Sequence, residues 1–173
     1  MNVNKEIVLF GGWGLIVLIG FAAMKLYPEQ LNPSAAFTLW IVLTLIGIGL
    51  MVFTMDLRDR TNRAIAGVWA GVFVIGYAVT YMVHNNSGWF PLFPYMGAVW
   101  LGLISLGHLG TGAVSGNPTF LRLGVVQLVV AALMALLKDT ALLGDWQFVI
   151  TGLVAAAAMF SLVVPRPAVL RRL

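Results

Sequence analysis

His108 and Gln127 are the side chains of this sequence best placed to do chemistry inside an apolar stretch. His108 stands in VWLGLISLGHLGT (99–111) and Gln127 in LGVVQLVVAAL (123–133), neither of which holds a charged residue. A histidine in such a setting either sits neutral, bonded to a carbonyl or hydroxyl, or it lines a pore, binds a cofactor or senses pH. A primary amide carries donors and acceptors that are costly to bury unpaired. Gln127 is therefore expected to face another helix, a subunit or a small polar pathway, and with His108, Thr80 and Thr111 it outlines a candidate pathway.

Other chemistry finds few residues to use. The chain has no cysteine, which excludes disulfides and thiolate metal sites. No Asp, Glu, Lys or Arg lies in the interior of an apolar run, which argues against carboxylate proton relays and ion-coupled pumping. A haem held by two histidines is opposed by geometry, because His84 ends one run while His108 lies about sixteen residues into the next, roughly 24 Å deeper. AVSG at 113–116 is similar to the nucleophile turn of rhomboid proteases, but Ala113 replaces their glycine and no histidine follows Ser115. HExxH and an intramembrane aspartate pair are missing too. The expectation is a protein without enzymatic activity, cofactor or metal.

The elements that must position these residues are apolar runs. Hydrophobic residues make up 61% of the 173 and charged residues 9%, against about 25% charged in a soluble domain. Runs of about 20 residues suffice to cross a hydrocarbon layer of roughly 30 Å as helix. Six such spans are predicted, near 7–26, 35–55, 64–84, 92–113, 119–137 and 146–164, in one all-α transmembrane domain over 1–173. The first is read as a retained helix, since Met24-Lys25-Leu26-Tyr27 follows Ala22-Ala23 where a cleavage pattern would lie.

Charge then orients the chain. Lys5, Arg58, Arg60, Arg63, Arg122, Arg166, Arg171 and Arg172 would share one side, against Lys25 and Lys138 on the other, so both termini are expected in the cytoplasm. The formal charge of +4 reflects orientation and lipid headgroups, with no nucleic-acid partner required. The expected location is a prokaryotic cytoplasmic membrane. Arg58, Arg60, Arg63, Arg171 and Arg172 form a candidate basic surface. In DLRDRTNR (56–63), Asp56 precedes Arg60 by four residues and Asp59 precedes Arg63 by four, a salt-bridge spacing if the turn is helical. The turn reads either as solvated and self-paired or as a docking patch. The tail PRPAVLRRL is expected along the inner headgroups, while HNNSGWFPLFPY (84–95) reads as an interfacial aromatic belt or as a vestibule or partner-facing cap.

A pattern runs across the first four spans: Trp13 and Gly20, Trp40 and Gly47, Trp69 and Gly76, Trp100 and Gly107 all stand seven residues apart. Seven residues are close to two helical turns, so each pair shares a face, and glycine there admits a close neighbour. Generic packing, a repeated helical hairpin and inverted single helices all produce such spacing. Gly67 and Gly71 form a GxxxG face that favours a further helix contact, within the molecule or with another chain.

Three hairpins in under 200 residues, with glycine at a fixed place in each span and short loops, resemble the HdeD-type membrane proteins. The resemblance implies a six-helix membrane protein without established enzymatic chemistry, and it transfers no site residue. HNNSGWF (84–90) is also similar to the Asn-Asn segment of AmiS/UreI-type channels, although their acidic residue in the last span has no counterpart in QFVITGLVAAAAMFSLVV. Two functions follow as expectations. One is a structural or accessory subunit that associates with other membrane subunits or with itself. The alternative is a passive facilitator for a small neutral solute.

Overall fold

The computed structural model of the chain describes residues 3–26, 33–85 and 94–163. Every regular element among them is helical. A turn at Val3–Glu6 and a π-helical stretch at Ile7–Gly11 lead into α1 (Gly12–Leu26); α2 covers Pro33–Thr54, α3 Arg60–Asn85, α4 Met96–Ser115, α5 Pro118–Leu136 and α6 Ala141–Ser161. Five helical stretches, the first running Ile7–Lys25 through the π-helical segment into α1, are long and apolar enough to cross a membrane, as a membrane protein requires, and the described apolar part of α6 is Trp146–Ser161. α4 begins at Met96, and the start expected near 92 lies outside the described residues; α6 begins at Ala141, where the backbone turns from extended at Thr140 to helical.

The helix ends follow from local chemistry. Gly116 ends α4 in the left-handed conformation with φ of 67°, which suits a residue lacking Cβ. Asn117 then accepts the Thr119 N–H at 3.0 Å, and Pro118 occupies the first position of α5, where no N–H is needed. These four residues reverse the chain.

The turn between α2 and α3 corrects the expected salt bridges. Asp59 accepts the Asn62 N–H at 2.9 Å and so caps α3, and Asp56 accepts the Arg58 N–H at 2.9 Å. Arg63 donates to the carbonyls of Leu57 and Arg58, at 3.2 and 2.8 Å. Orphan backbone groups at a helix start outcompete an exposed guanidinium, whose ion pair is worth little in water. Among the described residues the one salt bridge is Lys138 with Asp139, at the opposite end of the bundle. At that end Lys25 also lies over the Trp146 ring, 5.0 Å from its centroid, and Lys138 over Tyr95, at 5.1 Å.

α4 is the central helix. It packs along α5 and against α3 and α6, while α1 packs along α6 and α2. In α4, 56% of the membrane-length window is buried, against 17% in α2 and 11% in α3. The last two thus turn most of their surface outward. Gln147 of α6 accepts the Gly97 N–H at 2.9 Å, satisfying a first-turn donor of α4 that has no partner in its own helix. Thr151 donates to the Gly97 carbonyl at 2.9 Å. A side chain at position 97 would meet the Gln147 backbone, so glycine sets this approach of α4 to α6.

Candidate cavity and buried polar pair

The four Trp and Gly pairs resolve into two reciprocal exchanges. The Trp40 ring of α2 covers Gly20 of α1, and the Trp13 ring of α1 covers Gly47 of α2. In α3 and α4, Trp100 covers Gly76 and Trp69 covers Gly107. A Cβ on Gly20 would sit 2.6 Å from Trp40 Cη2, and one on Gly107 would sit 2.8 Å from Trp69 Cη2. Antiparallel neighbours whose Trp and Gly share a face at equal spacing place each ring over the other helix's glycine. The contact is therefore self-complementary. α5 has no tryptophan; there Leu109 lies over Gly124 and Leu121 over Gly112.

Rings brought inward this way interlock along the bundle. Trp13 stacks on Phe73 at 5.2 Å, Phe73 meets Trp69 at 6.2 Å and Tyr77 at 6.5 Å, Tyr77 meets Trp100 edge-on at 5.7 Å, and Trp100 stacks on Trp40 at 6.0 Å. Several of their polar atoms are paired. Tyr77 donates to the Trp40 carbonyl at 2.9 Å, so the Thr44 hydroxyl is the donor in its bond to the Tyr77 oxygen. The Trp100 indole donates to Thr80 at 3.1 Å, and Thr80 donates to the Gly76 carbonyl of its own helix at 2.7 Å.

His108 and Gln127 meet between α4 and α5. His108 Nδ1 and Gln127 Oε1 are 2.7 Å apart, and both side chains are almost wholly buried. The His108 ring is packed edge-on to Trp69 at 5.3 Å and stacked near Phe120 at 6.1 Å. His108 Nε2 and Gln127 Nε2 have no partner. If Nδ1 carries the proton, the pair leaves an imidazole acceptor and an amide donor; if the amide is turned and donates to Nδ1, it leaves an imidazole donor and a carbonyl acceptor. Either way, one donor and one acceptor remain in a place where unpaired polar groups are rare.

Next to this pair a cavity of about 250 Å³ opens at the end of the bundle that carries Glu6 and the arginine-rich turn. Glu6, Asn62 and Asn117 are lining residues at helix ends, and Trp13, Trp69, Thr111 and Phe120 line it further along the helices. Trp13 stands seven residues beyond Glu6, or about 10 Å along a helix. Trp69 donates to Thr111 at 3.0 Å, so the deep wall is braced, and the rings over His108 belong to that same wall. Beyond it the interlocked rings fill the bundle.

The structure thus brings together three of the four predicted pathway residues. His108 and Gln127 bond directly and Thr111 adjoins them through Trp69. Thr80 is apart, committed to Trp100 and to its own backbone. Gly20, Gly47, Gly76 and Gly107 each lie under a tryptophan, whereas among the described residues nothing lies within 4 Å of where a side chain on Gly67 or Gly71 would project. Arg58, Arg60 and Arg63 are exposed; Arg171 and Arg172 lie outside the described residues. Glu6, Phe10, Asn62 and Phe120 carry no signal in the sequence that marks them as cavity residues, since their convergence depends on how several helices meet. Comparison with protein families, curated proteins and solved structures finds no match for this chain.

Proposed function

We propose that this chain is a non-catalytic polytopic membrane protein that acts as an accessory subunit, associating with other membrane subunits or with itself. In this reading α6 supplies a sixth span, both termini are cytoplasmic, and the membrane is that of a prokaryote. The observation that carries it is the outward face of α3. Trp69, Phe73 and Tyr77 turn this helix inward, yet Gly67, Gly71 and Val74 stand on its open side. Small residues on a lipid-facing helix let another helix come close. The ring-filled interior also supports association over conduction.

Native mass spectrometry of the particle extracted in mild detergent tests this. A fixed complex is expected, and Gly67→Leu with Gly71→Leu should dissociate it without unfolding the chain, since both positions are open. A wild-type particle that is a lone monomer overturns the proposal.

The cavity favours a second reading, a facilitator for a small neutral solute. Trp69 and Phe120, which line it, pack on the ring of His108, whose Nε2 is unpaired. Solute flux into liposomes that falls with Gln127→Leu would support it.

A further inference from the structure

The cavity has a composition that its size alone does not require. Its walls include four aromatic residues, Phe10, Trp13, Trp69 and Phe120, together with Met51, Met55 and Met159. Glu6 is the one charged residue among the described lining residues, and none of those residues is Lys or Arg. No salt bridge neutralises Glu6 among the described residues. The nearby turn does not supply one, because Arg63 is committed to the Leu57 and Arg58 carbonyls and Arg58 and Arg60 are exposed.

From this geometry we infer that the cavity is a binding site for a small apolar organic cation, of the quaternary-ammonium class, with Glu6 as its counter-charge and the aromatic rings as its walls. Aromatic faces attract a cation whose charge is spread over carbon groups, and most strongly where water is excluded. Methionines adapt to alkyl substituents of varied shape. The Glu6 carboxylate supplies the long-range attraction, while an anion would meet it with no basic group among the described lining residues to offset it. Asn62, Thr111 and Asn117 offer neutral hydrogen bonds for a polar substituent. At about 250 Å³ the cavity falls just under the usual range of about 300–1,000 Å³ for drug-sized ligands, so the occupant is small. A simple metal cation is disfavoured, because its ligands would have to be several oxygens and the described lining residues include only one carboxylate.

Titration calorimetry of the full chain in zwitterionic nanodiscs tests the inference, with benzyltrimethylammonium as probe and benzyl alcohol and benzoate as uncharged and anionic controls. Saturable binding of the cation alone is expected. Glu6→Gln should weaken it about tenfold, and Phe10→Leu, which keeps an apolar wall but removes a ring, should weaken it by a factor of about three or more. Unchanged melting temperatures of both variants would show that the losses are local. The inference is overturned if the wild type does not bind the cation at millimolar concentration, if benzyl alcohol or benzoate binds as tightly, or if Glu6→Gln binds like wild type.

Discussion

Gly20→Ala and Gly71→Ala place the same methyl group on two lipid-soluble helices and should have opposite effects. At position 20 the new carbon would lie 2.6 Å from Trp40 Cη2 and 2.7 Å from Cζ2. Ordinary carbon contacts lie at about 3.5–4.0 Å, so the indole must retreat by about 1 Å. It has little room, being stacked on Trp100 at 6.0 Å and held edge-on by Phe21 at 4.7 Å. Overpacking of this kind costs about 1–3 kcal/mol. At position 71 nothing lies within 4 Å. Both changes share the gain from replacing helical glycine, about 0.5–1 kcal/mol, so their difference isolates the clash. Gly71→Ala should be neutral or stabilising, and Gly20→Ala less stable than it by about 1–3 kcal/mol. The assay is reversible unfolding in mixed micelles under rising SDS fraction. Trp40→Phe, which shortens the offending ring, should relieve Gly20→Ala in a double-mutant cycle by at least about 1 kcal/mol. Equal stability of the two alanine variants, or no coupling in the cycle, would refute the reciprocal packing.

Gln127→Leu alone should destabilise by about 1–3 kcal/mol because it strips His108 of its partner, whereas His108→Leu with Gln127→Leu should cost less than the sum of the single changes, as read by the same unfolding titration. The bond to Asp139 holds the Lys138 ammonium above the ordinary lysine value of 10.5, and Tyr95 adds to it. A raised folded-state pKa gives stability that is complete below the unfolded value and disappears as pH rises through the folded one. Nitrogen NMR of Lys138 should accordingly show titration above 10.5, moving down in Asp139→Asn.

Much of the helical layout was legible because long apolar runs leave the backbone few options in hydrocarbon, where every N–H and C=O must pair internally. The Trp and Gly spacing was visible as well, yet its meaning depends on antiparallel register, which no single helix encodes. Gly20 and Gly71 illustrate the limit. Both sit on glycine-bearing faces, but one lies under an indole and the other in the open, and only the neighbouring helix distinguishes them. Asp56 and Asp59 failed the other way: their spacing to Arg60 and Arg63 fits salt bridges, while the nearby backbone donors win. The pairing of His108 with Gln127 needed the tight α4–α5 reversal, whose signal, Gly-Asn-Pro at 116–118, is plain in hindsight.

The two reciprocal exchanges bear on how the chain is made. Trp13 and Trp40 find their glycines within the first two helices, and Trp69 and Trp100 find theirs within the next two. Each hairpin can close as soon as its second helix enters the bilayer, before any later helix has been synthesised. Biogenesis can thus proceed in pairs, and a chain severed in the turn at 56–59 should still yield two halves able to insert separately and rejoin.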